Sequence, residues 1–254
     1  MNLELTNSQV IVIGGTNGIG LSIAKNFLLE EAVVHIISRN INYNLKTELE
    51  KKYPSRVFFY QADATIEESL NHTYPQVLQN SKNKIDILIS NVGNGNGVSD
   101  AVPKKEDWNS SWDTNFISAL NSTKIFFKKI SESNGSITFI SSIAGIEYLG
   151  APISYSTAKS ALIAFAKSLS HKLAPNVRVN VVAPGNIWVE NGVWDNKMKK
   201  NSELVIQMLN EKVPLRRFGL AEEVSDLVLF ISSFRASFIT GSCFVIDGGQ
   251  TITL

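Results

Sequence analysis

"VIGGTNGIGLSIAK", residues 12–25, passes from a β-branched apolar run through four glycines into a stretch with helical spacing. Gly14, Gly18 and Gly20 stand as G-x-x-x-G-x-G between the two. Missing Cβ atoms there permit a tight turn and a close approach of backbone to a pyrophosphate. The N–H groups that open the helix, with the positive end of its dipole, then favour phosphate charge. A glycine turn without a ligand is the competing reading. The flanks decide between them, because strand, turn and helix occur in the order a dinucleotide-binding unit needs.

Outward from this turn, β-branched runs recur: "QVIVIGG", "AVVHIIS", "RVFFYQAD", "KIDILISN", "GSITFISS", "VRVNVVAPG" and "SCFVIDGG". Nearly continuous apolar runs suit strands covered on both faces. Helical patterns fall between them, near 18–30, 66–80, 108–131, 155–173 and 221–233, with Leu162, Phe165, Leu169 and Leu173 tracing one such face. The alternation predicts right-handed crossovers and an α/β fold, a doubly wound, seven-stranded parallel sheet with helices on both faces. No linker, repeat or low-complexity tract divides the chain, so residues 1–254 are expected to form a single domain. Residues 186–212 stand apart as long, polar and without an obvious strand. They carry Trp188, Trp194 and the run Lys197 to Lys200, and read equally as a substrate lid or a surface insertion.

Composition narrows the class. The 254 residues are 44% apolar and 19% charged with a net charge of +1, which gives no electrostatic reason to expect nucleic acid or an anionic membrane as partner. Cys243 is the only cysteine, so no intrachain disulfide can form, and it is expected to be a small core residue of a protein in a reducing compartment. The N-terminus lacks a basic flank and an apolar run of signal-peptide length, so a cytoplasmic location is expected.

The second strand ends in "IISRN", where a dinucleotide fold reads the adenosine ribose. A carboxylate there would accept from a 2′-hydroxyl. Ser38 and Arg39 stand there instead, and a guanidinium binds a 2′-phosphate through charge-assisted hydrogen bonds. NADP(H) is therefore favoured over NAD(H), with a solvated Arg39 as the plainer alternative.

"ISSIAGIEYLGAPISYSTAKSAL", residues 140–162, carries the chemistry. Tyr155 and Lys159 are four apart in a helical pattern, so both side chains lie on one face, one turn apart. A phenol titrates near ~10, and an adjacent ammonium is expected to draw it toward useful pH. Ser142, closing the preceding strand, can hydrogen-bond a carbonyl oxygen. Each taken alone also reads as an ordinary surface pair or a strand-end turn.

Together these stretches resemble the short-chain dehydrogenase/reductase family, specifically its short single-domain branch of the 3-oxoacyl-carrier-protein reductase kind, with a Rossmann-type sheet. The resemblance covers nearly the whole chain: "GGTNGIG", "QADAT", "ISNVG", "DTNF", "ISS", "YSTAK", "APGNI" and "FITGSCFVIDGG", in that order. It implies an oxidoreductase interconverting a carbonyl and a secondary alcohol by hydride transfer, with Asn115, Ser142, Tyr155 and Lys159 as catalytic tetrad. Tyr155 would move the proton, Ser142 orient the oxygen, Lys159 bind the nicotinamide ribose and lower the Tyr155 pKa, and Asn115 keep a relay water. It also implies a coenzyme bound by Gly14, Thr16, Asn17, Gly18, Ile19 and Gly20 at the turn. Ser38, Arg39 and Asp63 would meet the adenosine end, Asn91 and Gly93 the cleft, and Pro184, Gly185 and Ile187 the nicotinamide, beside Tyr155 and Lys159. A homotetramer or homodimer is implied too, with helices 108–131 and 155–173 and the C-terminal strand in contact.

Departures from the family pattern are Ile13 before the first glycine, Ser90 and Val92 in "SNVG", and Val189 and Glu190 where a Thr is usual after the P-G turn. "GNGNG", residues 93–97, either shapes substrate entry or is a plain loop. His35, His72 and His171 are widely spaced, so no metal site is expected, and His35 reads as a packed residue. No G-x-S-x-G elbow points to a hydrolase. A non-catalytic dinucleotide-binding scaffold and a nucleotide-sugar-modifying enzyme of related fold remain as alternatives. Acyl thioesters, sugars, steroids and small ketones all fit as substrates. The lid lysines Lys197, Lys199 and Lys200 either attract an anionic carrier or keep the lid soluble.

Overall fold

Seven parallel strands form the central sheet in the computed structural model, which describes residues 1–253. They are β1 (Gln9–Ile13), β2 (Val33–Ser38), β3 (Val57–Gln61), β4 (Ile87–Ser90), β5 (Ser136–Ile140), β6 (Arg178–Pro184) and β9 (Cys243–Ile246). All seven were expected from their apolar runs. Their order is β3-β2-β1-β4-β5-β6-β9, so the chain winds outward from β1 to β3 and then restarts at β4 on the other side of β1. Val10 pairs with Val34 on one side and Ile87 on the other. This reversal opens a crevice at the carboxyl ends of β1 and β4, where open α/β sheets bind ligands.

Alternation along β1 divides the core into two layers. Val10 and Val12 face the helices α1 (Gly18–Leu29), α2 (Tyr43–Lys52) and α9 (Ala221–Ser232), where Ile23, Phe27, Leu49 and Val228 are buried. Ile11 and Ile13 face α3 (Glu67–Asn80), α5 (Ser118–Glu132) and α6 (Ile153–Leu173), against Leu70, Phe126 and Leu162. Each such fully buried side chain contributes roughly 1.5–3 kcal/mol of transfer free energy.

Three elements differ from the sequence expectation. Helix α2 was not foreseen, because Leu49 is its only buried residue and its face is too polar to show a period. The helix expected over 108–131 starts earlier, as α4 (Lys105–Trp112), and runs into α5 through a π-helical turn, Asp113–Ile117. Residues 186–212 hold two helices, α7 (Val193–Lys200) and α8 (Ser202–Lys212), and a two-residue strand β7 (Ile187–Trp188) that pairs with β8 (Gly219–Leu220). Cys243 corrects the expectation of a core residue. It is exposed, because β9 pairs only with β6 and lies at the sheet edge.

Candidate active site

The crevice is a cleft of about 1910 Å³, more than the roughly 300–1,000 Å³ usual for one small ligand. At its floor the chain leaves β1 through Gly14 at φ +77° and enters α1 at Gly18, φ +50°, both left-handed conformations that favour glycine. Gly20 serves packing instead. A Cβ there would sit 2.1 Å from the Gly14 carbonyl oxygen and 2.4 Å from Asn91 Nδ2. Asn91 Nδ2 donates to that same Gly14 oxygen at 3.1 Å, tying β4 to the turn. Asn17 caps α1 without a side-chain bond, and no acidic residue stands in the first turn, so the leading N–H groups face the cleft unopposed. This cradle fits a dinucleotide pyrophosphate.

Of the residues expected to bind coenzyme, Gly14, Asn17, Gly18, Ile19, Ser38, Arg39, Asp63, Asn91, Gly93, Pro184, Gly185 and Ile187 all line this one cleft, as do Ser142, Tyr155 and Lys159. Thr16, Gly20 and Asn115 are not among the residues that line it. Thr16 Oγ1 and Ser38 Oγ are 3.0 Å apart, which steadies the end of β2. The Arg39 side chain is 73% exposed, and its Nη1 lies 3.8 Å from an Asp63 carboxylate oxygen, an ion pair too open to hold it firmly. Asp63 Oδ1 is committed to the Thr65 N–H at 2.9 Å and hydroxyl at 2.7 Å.

Four strands' breadth away, α6 begins. Lys159 is buried, and its Nζ donates to the Ile140 carbonyl at the end of β5 over 3.0 Å. That same Nζ lies 5.9 Å from the Tyr155 ring centroid. Burial pulls the Lys159 ammonium down to about 8. Tyr155 moves the other way from the sequence expectation. Burial pushes its phenol up, and the Ser142 hydroxyl offsets only part of this. Desolvation therefore outweighs the charge at that separation. Ser142 Oγ accepts from the Ala144 N–H at 3.1 Å, leaving its own proton free to donate.

Two supporting residues escaped the sequence reading. Ser141 Oγ donates to the Lys159 carbonyl at 2.9 Å and pins α6 to the strand end. Asn94 binds Asn115 through its backbone: its N–H donates to Asn115 Oδ1 at 3.0 Å, and its carbonyl accepts from Asn115 Nδ2 at 3.1 Å. Asn115 lies in "DTNF" and Asn94 in "GNGNG", but neither pattern shows that the two meet. Gly93 lets the loop close, since a Cβ there would lie 2.8 Å from Lys159 Nζ. His35 is packed as expected, with Nδ1 3.0 Å from the Tyr60 hydroxyl and Nε2 3.0 Å from Gln9 Oε1. Among the described residues no group of His, Cys, Asp and Glu is arranged to hold a metal ion.

Known proteins share this architecture. A family model described as enoyl-(acyl carrier protein) reductase matches residues 14–251. The 3-oxoacyl-[acyl-carrier-protein] reductase FabG of Aquifex aeolicus is 34% identical over 98% of this chain and 100% of its own, and that of Chlamydia muridarum is 33% identical over the same shares. The crystal structure of L-sorbose reductase from Gluconobacter frateurii, complexed with NADPH and L-sorbose, superposes with a TM-score of 0.92 at 25% identity, covering 100% of both chains. The protein is thus an NAD(P)-dependent oxidoreductase. More narrowly, the chain belongs to the short-chain dehydrogenase/reductase family.

Proposed function

We propose that the protein is an NADP(H)-preferring enzyme that interconverts a carbonyl and a secondary alcohol, with Tyr155 as general acid and base. The observation that carries this reading is the convergence of Tyr155, Lys159 and Ser142 on one wall of the cleft whose floor is the glycine turn. When bound, the nicotinamide dinucleotide supplies the hydride in reduction and accepts it in oxidation. Tyr155, its phenol kept protonated by burial, donates that proton to the carbonyl oxygen during reduction and takes it back during oxidation. The Ser142 hydroxyl donates a hydrogen bond to the same oxygen and orients it. Lys159, still largely protonated at neutral pH, offsets the charge left on the phenolate. Asn115 seats the 93–97 loop and, as in the family pattern, keeps a relay water.

Arg39 and Ser38 support the NADP(H) preference, since both face the cleft and the Arg39 guanidinium is only loosely paired. The L-sorbose reductase relative, solved with NADPH, agrees with it. Residues 186–212 act as a substrate lid on a single catalytic domain. This reading is supported by Asn186, Val189, Trp194 and Met208, which all face the cleft. The open edge of β9, with Cys243 and Val245 exposed, supports assembly into a homotetramer or homodimer. The single cysteine and the absence, among the described residues, of any helix long and apolar enough to cross a membrane support a cytoplasmic location.

Oxidation of NADPH followed across a carbonyl panel that includes 3-oxoacyl thioesters and L-sorbose tests the activity, and mass in solution tests the assembly. Turnover of at least one panel member with NADPH is expected. A chain that binds NADPH yet reduces none of them contradicts the reading.

A further inference from the structure

Three lysines on the lid have no partner in the catalytic reading. Lys197 and Lys200 on α7 and Lys212 on α8 all face the cleft, and none forms an ion pair among the described residues. Their neighbour Lys199 differs: its Nζ lies 2.7 Å from Asp195 Oδ2, one turn back on α7. Only Asp63 and Glu190 bring negative charge to the cleft wall, and Asp63 belongs to the adenosine end. The lid side therefore presents three free ammonium groups against one carboxylate.

Placement follows from the fold. Asn186 Nδ2, two residues past the end of β6, lies 2.9 Å from Gln250 Oε1 and 3.7 Å from Met208 Sδ, so α8 stands over β6. Lys212 is four residues beyond Met208 and both face the cleft, so the lysine projects one turn further along the same face. On α7, Lys197 lies over the Trp194 ring with Nζ 4.3 Å from its centroid, giving the rim an aromatic and a cationic side together. Arg39, the guanidinium for a coenzyme 2′-phosphate, stands at β2, four strand spacings or about 19 Å from β6. That distance separates the α8 end of the rim from the adenosine phosphate.

Resting on the carbonyl-reductase reading above, we infer that Lys197, Lys200 and Lys212 form an anion subsite, and that the substrate is a carbonyl compound bearing a carboxylate or phosphate beyond its reacting carbon. An ammonium cluster at a cleft mouth raises local anion concentration and so acts first on KM. Glu190, facing the same space, repels an anionic tail, but the three ammonium groups outnumber it.

The test uses the NADPH-loaded protein with two oxo acids of increasing length, 4-oxopentanoate and 5-oxohexanoate, beside their neutral methyl esters. At low ionic strength at least one acid is expected to exceed its ester about tenfold in kcat/KM. The triple variant Lys197→Gln, Lys200→Gln, Lys212→Gln erases that advantage by raising KM for the acid, leaving the ester unchanged. Calorimetry of the same acids with the NADP⁺-loaded protein reads the subsite without turnover, and binding that the triple variant loses is expected. Esters matched or preferred over acids, together with no acid binding, overturn the inference while leaving the reductase intact. A rise in the KM for NADPH in the triple variant also overturns it, by assigning the lysines to the coenzyme. If neither acid nor ester is reduced, the wider carbonyl panel decides the reductase reading, and calorimetry still decides the subsite.

Discussion

The carboxamide of Asn115 closes a two-bond ring with the backbone of Asn94, giving and receiving one hydrogen bond at 3.1 and 3.0 Å. A third bond, from the same Nδ2 to the Ser111 carbonyl at 2.9 Å, fixes the amide to its own helix. These bonds fall where the helix from α4 to α5 widens into its π turn, and π turns gather at functional sites. Asn115 thus holds the glycine-rich 93–97 loop against Tyr155 and Lys159, although its side chain does not line the cleft.

Replacing that amide should loosen the loop before it unfolds the protein. Asn115→Ala removes both hydrogen bonds to the Asn94 backbone, each contributing about 0.5–1.5 kcal/mol. Faster hydrogen exchange confined to residues 93–97, with a fall in turnover, is the expected result. Unchanged exchange there would show that the ring does not hold the loop.

Coenzyme choice should turn on Arg39. A charge-assisted hydrogen bond contributes about 1.5–3 kcal/mol, so Arg39→Asp should weaken NADPH roughly tenfold or more, with NADH little affected. The ratio of kcat/KM for the two coenzymes measures this directly. An unchanged ratio would return Arg39 to the solvated surface.

His35 makes stability depend on pH. Its Nε2 faces the Gln9 Oε1 acceptor, while the Tyr60 hydroxyl, itself accepting from Asn80 Nδ2 at 2.9 Å, donates to Nδ1; both partners suit the neutral ring. Burial lowers its pKa from 6.5 to about 4. Between these values the unfolded chain holds a proton that the folded one does not. Stability from this group is therefore complete above pH 6.5 and lost as pH falls toward 4, by about 3 kcal/mol at most. Urea unfolding from pH 7.5 to 4.5 should show a smaller decline for His35→Leu than for the natural chain. Parallel declines in the two would contradict this.

The strands were legible because each is a β-branched run buried on both faces, and period and composition agree there. Helix α2 was not, since a helix whose only buried residue is Leu49 carries no stripe to read. Cys243 misled for a related reason: its residue type favours cores, but only the strand order shows that β9 is an edge. The glycine turn and the Tyr155–Lys159 pair are local patterns and could be located from spacing, whereas Asn115 was singled out only through the family resemblance. The Asn94–Asn115 ring joins positions 21 apart through backbone atoms, which no residue type announces. The direction of the Tyr155 shift required knowing how deeply it is buried, because charge and desolvation oppose each other there.

Tyr155→Phe tests the central claim most directly, because it removes one hydroxyl and keeps the ring that packs beside Lys159. Single-turnover oxidation of bound NADPH by a reducible ketone should slow by roughly 10²–10⁴-fold, with the affinity for NADPH unchanged. Turnover within a few fold of the natural protein would contradict proton transfer by Tyr155.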